Sequence, residues 1–447
     1  MKSNRKSTTV GLYTLGCKVS QYETEAVSEA FSDLGYTVSD FDSVCDVYVI
    51  NTCTVTAESD RKCRQIIRRA HRKNPRALIA VMGCYSQRSP GEVSRIEGVG
   101  IVVGTEGKMT LPKRVDDLLS GIPGEKISVG GLDGATFEPM TVRGTPRTRA
   151  YVKIEDGCEA KCSYCAISAA RGPVRSKPMD EVIREVEGLA ESGVSEIVLT
   201  GIETGSWGRD LEGRPDLGDL ISELDRRGSC YRIRLGSLAP ELVGESFAEK
   251  IKGARILAPH FHISLQSGAD SVLRAMRRRY TREGALENIR RLKRLIPKAQ
   301  FTTDLMVGFP GESEEDFLDT VSFVREAPFL DAHVFAYSKR EGTPAAAMSG
   351  QIPEETKRER SARLIAVKNE VRASILEGLI RCGEPMDCIL ETHSGGAYSA
   401  HTDSFVELLV AGAEGELLPE GLSGARARVV PVSQNNGIVA ASLITEM

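Results

Sequence analysis

The chain has 447 residues, which is too many for one hydrophobic core, so roughly two to four domains are expected. Hydrophobic residues make up 41% of the chain and charged residues 27%, as in ordinary globular proteins. No apolar run approaches the ~20 residues that a membrane helix requires, and no apolar signal-peptide segment follows the polar, basic residues 1–9. We therefore expect a cytoplasmic protein that does not contact a membrane.

The net charge and the cysteine content narrow the function classes. The net charge of -4 does not indicate a nucleic-acid-binding protein, so any RNA contact must come from local basic patches. Eleven cysteines are many for a chain in a reducing compartment, where disulfides are rare. Metal binding or catalysis is therefore the better explanation for cysteines that have motif spacing.

The N-terminal part of the chain predicts strands that alternate with helices. The three predicted strands are Val10–Leu15, Asp46–Ile50 and Ala77–Met82. The two predicted helices between them are Glu23–Leu34 and Ser59–Arg72. This alternation indicates an open parallel α/β sheet, which we assign to a first domain over residues 7–120. Right-handed crossovers would bring the carboxyl ends of its strands to one edge.

A second series of strands and helices follows Gly121–Arg149, a segment whose Gly, Thr, Pro and Arg content is typical of a linker. The six strand candidates are Tyr151–Ile154, Glu196–Leu199, Tyr231–Leu235, Phe261–Leu265, Phe301–Met306 and His333–Tyr337. Helical segments such as Met179–Ser192 and Arg282–Leu295 separate them, and a charged helix over Glu354–Ile380 closes the series. Six such units predict a partial (β/α)6 barrel over residues 144–375, with its chemistry at the strand C-terminal ends.

The last part of the chain changes to short strand-like runs with glycines between them. These runs are Asp387–Thr392, Ala397–His401, Phe405–Val410 and Arg426–Pro431. They predict a small β-barrel over residues 378–445. The fold class predicted for the whole chain is therefore a multidomain α/β protein with a C-terminal β-barrel.

Three cysteines follow the first strand of the predicted barrel with the spacing C-x3-C-x2-C, namely Cys158, Cys162 and Cys165. Three thiolates in one loop can hold three irons of a four-iron cluster and leave the fourth iron open to a small molecule. This spacing resembles the radical S-adenosylmethionine (radical SAM) superfamily, in which the open iron binds SAM for reductive cleavage. The alternative is a structural zinc site, but zinc prefers four protein ligands and no nearby Cys or His completes the set.

Three further cysteines, Cys17, Cys53 and Cys84, each follow a strand of the predicted N-terminal sheet. Ligand sites in open α/β sheets lie at the carboxyl ends of the strands, so these positions predict a second three-cysteine cluster. The alternative is that all three are small buried residues in tight loops. The remaining cysteines lack partner spacing and are expected to be structural: Cys45, Cys63, Cys230, Cys382 and Cys388.

Polar residues at the ends of later barrel strands are candidates for the SAM pocket. They are Glu203, Ser264, Gln266 and Asp304. Each could equally serve turn geometry or barrel packing. No catalytic residue is predicted beyond the cluster ligands.

Several segments together resemble the radical SAM methylthiotransferase family. They are Thr14–Glu25, Asn51–Thr56, Gly83–Gln87, the barrel cysteine motif with Ala170–Ser176, and Phe335–Pro344. Tyr398–Asp403 and the run after it resemble a TRAM domain, an RNA-binding barrel. Ser20 stands where the most similar branch usually has Asn, and Ala166–Ala170 is less aromatic than usual. Neither departure is expected to touch a cluster ligand.

The resemblance is closest to the bacterial branch that acts on N6-threonylcarbamoyladenosine 37 of tRNA. It implies a transferase that inserts a methylthio group at C2 of that nucleoside, using two [4Fe-4S] clusters and SAM. The implied partners are the tRNA anticodon loop, an electron donor protein and a sulfur source. The alternatives are action on isopentenyladenosine 37 or on a ribosomal-protein aspartate, and a non-catalytic RNA-binding protein with structural clusters. The open-iron spacing argues against the last of these.

Two basic stretches could neutralise RNA phosphates. The first comprises Arg61, Lys62, Arg64, Arg68, Arg69, Arg72, Lys73 and Arg76. The second comprises Arg274, Arg277, Arg278 and Arg279. The alternative for each stretch is a solvated helix face.

Overall fold

The computed structural model describes residues 8–413 and 416–444. Residues 7 and 445, the outer ends of the first and third predicted domains, lie outside the described residues, as do residues 1–6 of the basic N-terminus. The chain forms two compact units. Unit 1 comprises Met1–Val142, Tyr151–Lys177 and Ser338–Ala346, and unit 2 comprises Arg143–Ala150, Pro178–Tyr337 and Ala347–Met447. The three predicted domain ranges stay a prediction.

Unit 1 contains the N-terminal sheet and the segment with the barrel cysteines. Its strands are β1 (Thr9–Thr14), β2 (Thr37–Ser39), β3 (Val47–Thr52), β4 (Leu78–Gly83), β5 (Val99–Val103), β6 (Ile127–Ser128), β7 (Arg149–Lys153, which begins in unit 2), β8 (Glu155–Asp156) and β9 (Arg175–Ser176). Its helices are α1 (Lys18–Asp33), α2 (Ala57–Lys73), α3 (Cys84–Arg88), α4 (Pro90–Ser94), α5 (Leu111–Leu119) and α6 (Ile167–Arg171).

The N-terminal sheet has the strand order β2-β1-β3-β4-β5-β6, and every neighbouring pair is parallel. The predicted open parallel sheet is thus confirmed, although β2, β5 and β6 were not predicted. Helix α1 begins at Lys18 rather than Glu23, because Val19 and Tyr22 extend its buried face by one more turn.

Both faces of this sheet are buried. In β3, Val47 and Val49 pack into the core with α1 and α5, whereas Tyr48 and Ile50 pack into the core with α2. This alternation is what strands covered on both sides require, since successive side chains point to opposite faces. Polar groups that must be accessible are therefore confined to the loops at the strand ends.

The segment Gly121–Arg149 is not a free linker. Met140 and Val142 are buried against Tyr22 of α1. The Tyr22 hydroxyl donates a hydrogen bond to the Met140 carbonyl at 2.7 Å, and Lys177 Nζ donates to the same oxygen at 2.8 Å. Composition predicted the irregular backbone here, but not that this backbone packs on α1.

Unit 2 contains most of the central strands and the C-terminal barrel. Its strands are β10 (Glu196–Thr200), β11 (Arg232–Leu235), β12 (His260–Gln266), β13 (Gln300–Val307), β14 (Phe329–Ala336), β15 (Met386–Ser394), β16 (Ala397–Thr402), β17 (Glu407–Ala411), β18 (Arg426–Asn435) and β19 (Ile438–Leu443). Its helices are α7 (Met179–Glu191), α8 (Leu217–Arg227), α9 (Glu245–Ile251), α10 (Asp270–Ala275), α11 (Arg282–Leu295), α12 (Glu314–Glu326) and α13 (Glu354–Cys382).

The central strands and helices alternate as predicted for a partial (β/α)6 barrel. Strand β10 pairs in parallel with β11, and β12, β13 and β14 form a second parallel set. The C-terminal module is a closed barrel with the strand order β15-β16-β17-β19-β18, which confirms the predicted small barrel. Its last strand, β19, was not predicted, although it forms a hairpin with β18 through Asn436-Gly437, a turn signal that the sequence does carry. Only its parallel pairing with β17 required the tertiary structure.

A buried carboxylate attaches the C-terminal barrel to the central strands. Glu196 of β10 is fully buried and pairs with Arg234 Nε at 2.8 Å and with Arg149 Nε at 2.6 Å. The Arg234 guanidinium also donates to the carbonyls of Thr402 and Asp403, at 3.2 and 3.0 Å. One arginine therefore connects β10, β11 and the end of β16.

Acid titration tests the contribution of Glu196. Burial alone would raise its pKa, but Arg234, Arg149 and Arg232 lower the pKa to about 2. Because the folded pKa lies below the unfolded value, the stabilisation is present above about pH 4.5 and is lost as the pH falls towards 2. We expect Glu196→Gln to lower the free energy of unfolding at pH 7 by about 3 kcal/mol and to flatten its pH dependence below 4.5.

Denaturant unfolding across this pH range measures the effect. Glu223→Gln is the control, because the pKa of Glu223 is also lowered to about 2 but by arginines on the surface of α8, where ion pairs contribute little. An unchanged acid dependence in Glu196→Gln would contradict the assignment.

Candidate functional site

The three N-terminal cysteines lie at the carboxyl ends of neighbouring strands. Cys17 follows β1 and caps α1, Cys53 directly follows β3, and Cys84 directly follows β4 as the first residue of α3. Strands β1, β3 and β4 are adjacent in the sheet, so the fold brings residues 67 positions apart to one edge. Cys17 is exposed, Cys53 is half-buried and Cys84 is buried.

The thiols at this edge are electrostatic neighbours. Burial raises the pKa of Cys84 to about 11, and Cys17 and Cys53 add to the rise while Arg171 opposes it. Burial and the nearby Cys17 also raise the pKa of Cys53. The described residues contain no group of three or more Cys, His, Asp or Glu side chains already closed around a metal position.

Ser20 contacts a predicted cluster ligand, which corrects the expectation that it would not. Its hydroxyl lies 3.8 Å from Cys17 Sγ. The contact arises because α1 begins at Lys18, with Cys17 as its N-cap and Ser20 in its first turn. The departure at Ser20 therefore changes the surroundings of one predicted ligand.

The loop with Cys158, Cys162 and Cys165 follows β8. Gly157 begins it with φ +93°, and a Cβ there would lie 1.8 Å from the Pro173 carbonyl oxygen. The Cys158 N–H donates to the Gly172 carbonyl at 3.0 Å, and the Ile167 N–H donates to Cys165 Sγ at 3.3 Å. The departure at Ala166–Ala170 therefore also touches a predicted ligand, through its backbone, contrary to the expectation. Three thiols on one short loop, with a backbone donor at a sulfur, fit the donor set of a three-cysteine iron–sulfur cluster.

A buried charge network lies beside both cysteine sets and was missed by the sequence analysis. Arg171 Nη1 contacts Glu23 Oε1 at 2.6 Å and Asp156 Oδ2 at 3.0 Å, and Arg171 Nε donates to Cys84 Sγ at 3.2 Å. Lys153 and Lys108 lie 3.0 and 3.2 Å from the same Glu23 oxygen. All five charged side chains are buried.

The pKa values show how this network is compensated. Burial opposes ionisation of Glu23, but Arg171 and the two lysines hold the pKa of that carboxyl well below its usual range. Burial likewise opposes ionisation of Asp156, whose pKa is lowered to about 2 by Arg171 and Lys153. A feature of the sequence that could have indicated this network is Lys153, a charged residue within an otherwise apolar predicted strand.

The cysteines expected to be structural occupy varied surroundings. Cys63 is buried on α2, and its Sγ donates to the Cys53 carbonyl at 3.4 Å. Cys45 and Cys388 are buried, Cys230 is half-buried and Cys382 is exposed. None of the eleven cysteines forms a disulfide. Their structural role stays a prediction.

Three of the SAM-pocket candidates lie near Arg278 and β12. Glu203 accepts a hydrogen bond from the Ala239 N–H at 3.3 Å, and burial raises its pKa to about 7 against the effect of Arg278. Arg278 donates to the Ser264 carbonyl. Gln266 ends β12 with φ +73°, an unfavourable conformation for a residue with a side chain. Since Arg278 is turned towards β12, it differs from the exposed Arg274, Arg277 and Arg279 of the second basic stretch.

Asp304 lies in a histidine cluster on β12–β14. Its carboxylate is 3.1 Å from His262 Nε2 and 3.5 Å from His333 Nδ1. Burial would raise the pKa of Asp304, but both histidines lower it. The contacts of these histidines with Asp304 were not predicted, because residues on different strands become neighbours only through the strand register. The four SAM contacts stay predictions.

Two family models match this chain, each over a segment that contains one of the two cysteine sets. Residues 152–324 match a family model described as the radical SAM superfamily, and residues 9–104 match one described as uncharacterized protein family UPF0004. The threonylcarbamoyladenosine tRNA methylthiotransferase MtaB of Bacillus subtilis is 41% identical over 91% of this chain and 91% of the relative. This chain belongs to the radical SAM methylthiotransferase family.

Other relatives agree with this membership, and one solved structure shares the fold. MtaB of Thermotoga maritima is 37% identical over 79% of this chain and 80% of the relative. The tRNA-2-methylthio-N(6)-dimethylallyladenosine synthase of Carboxydothermus hydrogenoformans is 32% identical over 80% and 83%. The radical SAM methyltransferase TsrM of Kitasatospora setae shares the fold, with a TM-score of 0.57, 18% identity and coverage of 76% and 77%.

Membership identifies the chain as a transferase and implies SAM and a [4Fe-4S] cluster as cofactors. The assignment of particular cysteines to clusters stays a prediction. Among the described residues, no helix combines the length and apolar character needed to cross a membrane.

Gly157 provides a test of the cysteine loop in the absence of cofactor. We expect Gly157→Ala to lower the free energy of unfolding by about 2–4 kcal/mol, because the added methyl group meets a backbone oxygen at a positive φ. Gly188→Ala is the control, since no atom lies within 4 Å of its Cβ position on α7. Denaturant unfolding of the apo-proteins measures both variants, and equal stabilities would contradict the packing described.

Proposed function

We propose that this chain inserts a methylthio group at C2 of N6-threonylcarbamoyladenosine 37 in tRNA. The observation that carries the proposal is the 41% identity, over 91% of this chain, to an enzyme named for that nucleoside. The convergence of Cys17, Cys53 and Cys84 on one sheet edge supports it, because sulfur transfer needs a second thiolate-rich site. The tRNA anticodon loop is the substrate partner in this proposal.

In this proposal, Cys158, Cys162 and Cys165 hold the SAM-cleaving cluster, and Cys17, Cys53 and Cys84 hold a second one. When bound, the first cluster supplies the electron for SAM cleavage and the second offers a coordination site for sulfur. Glu203, Ser264, Gln266 and Asp304 are the proposed contacts of SAM. An electron donor protein and a sulfur source complete the set of partners.

In this proposal, residues of the chain itself shield the cluster ligands from water and fix the conformation of the cysteine loop. Cys84 and Cys162 are buried, so at these positions water is kept from the ligand sulfurs. The Gly157 turn and the Ile167 N–H fix the loop of the first set. The raised pKa of Glu203, about 7, allows its carboxyl to be either proton donor or acceptor near neutral pH.

A basic groove between α2 and α4 is the proposed phosphate-binding surface. The groove encloses about 550 Å³ and is lined by Arg64, Arg68, His71, Arg72, Glu92, Arg95, Ile96 and Glu97. In the described part of the chain, Arg68, Arg72 and Arg95 have no acidic partner at ion-pair distance, and all three are exposed. Arg69 and Lys73 differ, because both pair with Asp42.

The direction of α2 supports this surface. The helix begins four residues after Cys53, at the cysteine edge of the sheet, and runs away from it. From Ala57 to Arg72 the helix rises by about 22 Å. A nucleotide at the cysteine edge would therefore leave its adjoining backbone within reach of the groove, where unpaired arginines can neutralise phosphates.

Mass analysis of tRNA nucleosides tests the substrate. In a strain that lacks the gene for this chain, we expect the methylthio group to be lost from threonylcarbamoyladenosine and restored by the wild-type chain but not by Cys158→Ala. Loss from dimethylallyladenosine instead would favour the second candidate, which the 32% identical synthase supports. Unchanged tRNA nucleosides would contradict both and favour the ribosomal-protein aspartate.

Iron content tests the two cysteine sets. Anaerobically reconstituted protein should hold about eight irons, from two four-iron clusters. We expect replacement of Cys17, Cys53 and Cys84 by Ala to remove about half of this iron. The control is the double variant Cys230→Ala, Cys382→Ala, which should keep all of it. Full iron in the triple variant would contradict the second cluster.

Charge reversal tests the groove. We expect Arg68→Glu with Arg72→Glu to weaken tRNA binding and to reduce the salt dependence of the binding constant by about one unit of slope per lost phosphate contact. Lys113→Glu is the control, because it also reverses the charge of an exposed side chain, but on α5 and outside the groove. If the affinity for tRNA and the slope of its salt dependence equal those of the wild type, the groove is not part of the tRNA interface.

A further inference from the structure

One guanidinium group lies between the two cysteine sets of unit 1. Arg171 ends α6, the short helix that follows Cys165, and its side chain is fully buried. Its Nε atom donates to Cys84 Sγ, and its Nη1 atom contacts both Glu23 and Asp156. The proposed function uses the cysteines but assigns no role to this arginine.

Arg171 is held rigidly from both sides. Thr105 Oγ1, beyond the end of β5, donates to the Ala170 carbonyl at 2.8 Å. Arg175 Nη1 donates to the Arg171 carbonyl at 2.8 Å. With its backbone fixed at two carbonyls and its side chain paired with two carboxylates, the guanidinium has little freedom to turn away from Cys84.

The contact with Cys84 is chemically directed. A guanidinium N–H at 3.2 Å from sulfur stabilises the thiolate and withdraws charge from it. Hydrogen bonds to ligand sulfurs are one of the features that set the reduction potential of an iron–sulfur cluster. A cationic donor raises this potential, because reduction adds negative charge close to it.

On its other side, Arg171 is connected by hydrogen bonds to the loop that carries Cys158, Cys162 and Cys165. Asp156 Oδ2 accepts from Arg171 at 3.0 Å, while Asp156 Oδ1 accepts from the Gly157 N–H at 2.9 Å. The Gly172 carbonyl, next to Arg171, accepts from the Cys158 N–H at 3.0 Å. The beginning of the loop is thus tied to the residue that ends it, and that residue is tied to Cys84.

We propose that Arg171 is a positioning residue that fixes the two cysteine sets against each other and raises the reduction potential of the cluster at Cys84. This inference rests on the second cluster of the proposed function. A purely structural ion network would stabilise unit 1 without a specific effect on potential. The measurement must therefore be a potential rather than activity or stability alone.

The experiment uses the full chain with Cys158, Cys162 and Cys165 replaced by Ala, so that one cluster remains. Arg171→Met removes the charge and the donor, whereas Arg171→Lys keeps the charge. In a redox titration followed by electron paramagnetic resonance, we expect the midpoint to shift to lower potential in Arg171→Met and by a smaller amount in Arg171→Lys. Arg360→Lys is the matched control, because Arg360 is also buried and pairs with Glu312 at 2.7 Å, and its midpoint should not move.

A second variant keeps the test decisive if Arg171→Met does not fold. Arg171→Met with Glu23→Gln removes one buried charge of each sign, and its midpoint should still fall, by a smaller amount, because the lost donor is in direct contact with Cys84 Sγ. An unmoved midpoint in the loaded variants, Arg171→Lys and whichever Met variant folds, would overturn the role of Arg171 while leaving the second cluster intact. If the background protein binds no iron at all, both the second cluster and this inference are overturned.

Discussion

A carboxylate removed from water must be compensated by nearby cations, and in unit 1 that carboxylate is Glu23. Its position on α1, beside Lys108 before α5, Lys153 of β7 and Arg171 of α6, connects four separate stretches of chain. Removing one member would leave the others charged and buried, which is strongly destabilising. The network thus ties the N-terminal sheet to the cysteine loop, and everything proposed about the two cysteine sets depends on this attachment.

The parallel sheet supplies the second constraint. Because its faces are covered by helices, only the loops at the strand ends can carry accessible thiols, and β1, β3 and β4 present them at the same edge. Helix α2 leaves from this edge with its exposed arginines. The proposed sulfur ligands, a buried cation beside one of them and the proposed phosphate-binding groove consequently belong to one compact unit.

In unit 2, a buried ion pair connects the central strands to the C-terminal barrel. Glu196 and Arg234 attach the closed C-terminal barrel to the central strands, and Phe405 packs on His260 with ring centroids 4.5 Å apart. The likeness to TsrM at 18% identity concerns the fold alone.

The sequence by itself determined the parts that depend on local pattern. The spacing of Cys158, Cys162 and Cys165 indicated a cluster with an open iron, and alternating apolar runs indicated the parallel sheet, the central barrel and the small C-terminal barrel. The ends of β1, β3 and β4 could also be inferred, since a parallel sheet aligns its strand ends by rule. Only the tertiary structure decided which charges meet. Glu23, Lys108, Asp156 and Arg171 are ordinary polar residues in the sequence, and the contact between Arg171 and Cys84 joins positions 87 apart. A pairing of this kind depends on the packing of whole elements, because a buried charged residue has no definite partner until the fold places an opposite charge beside it.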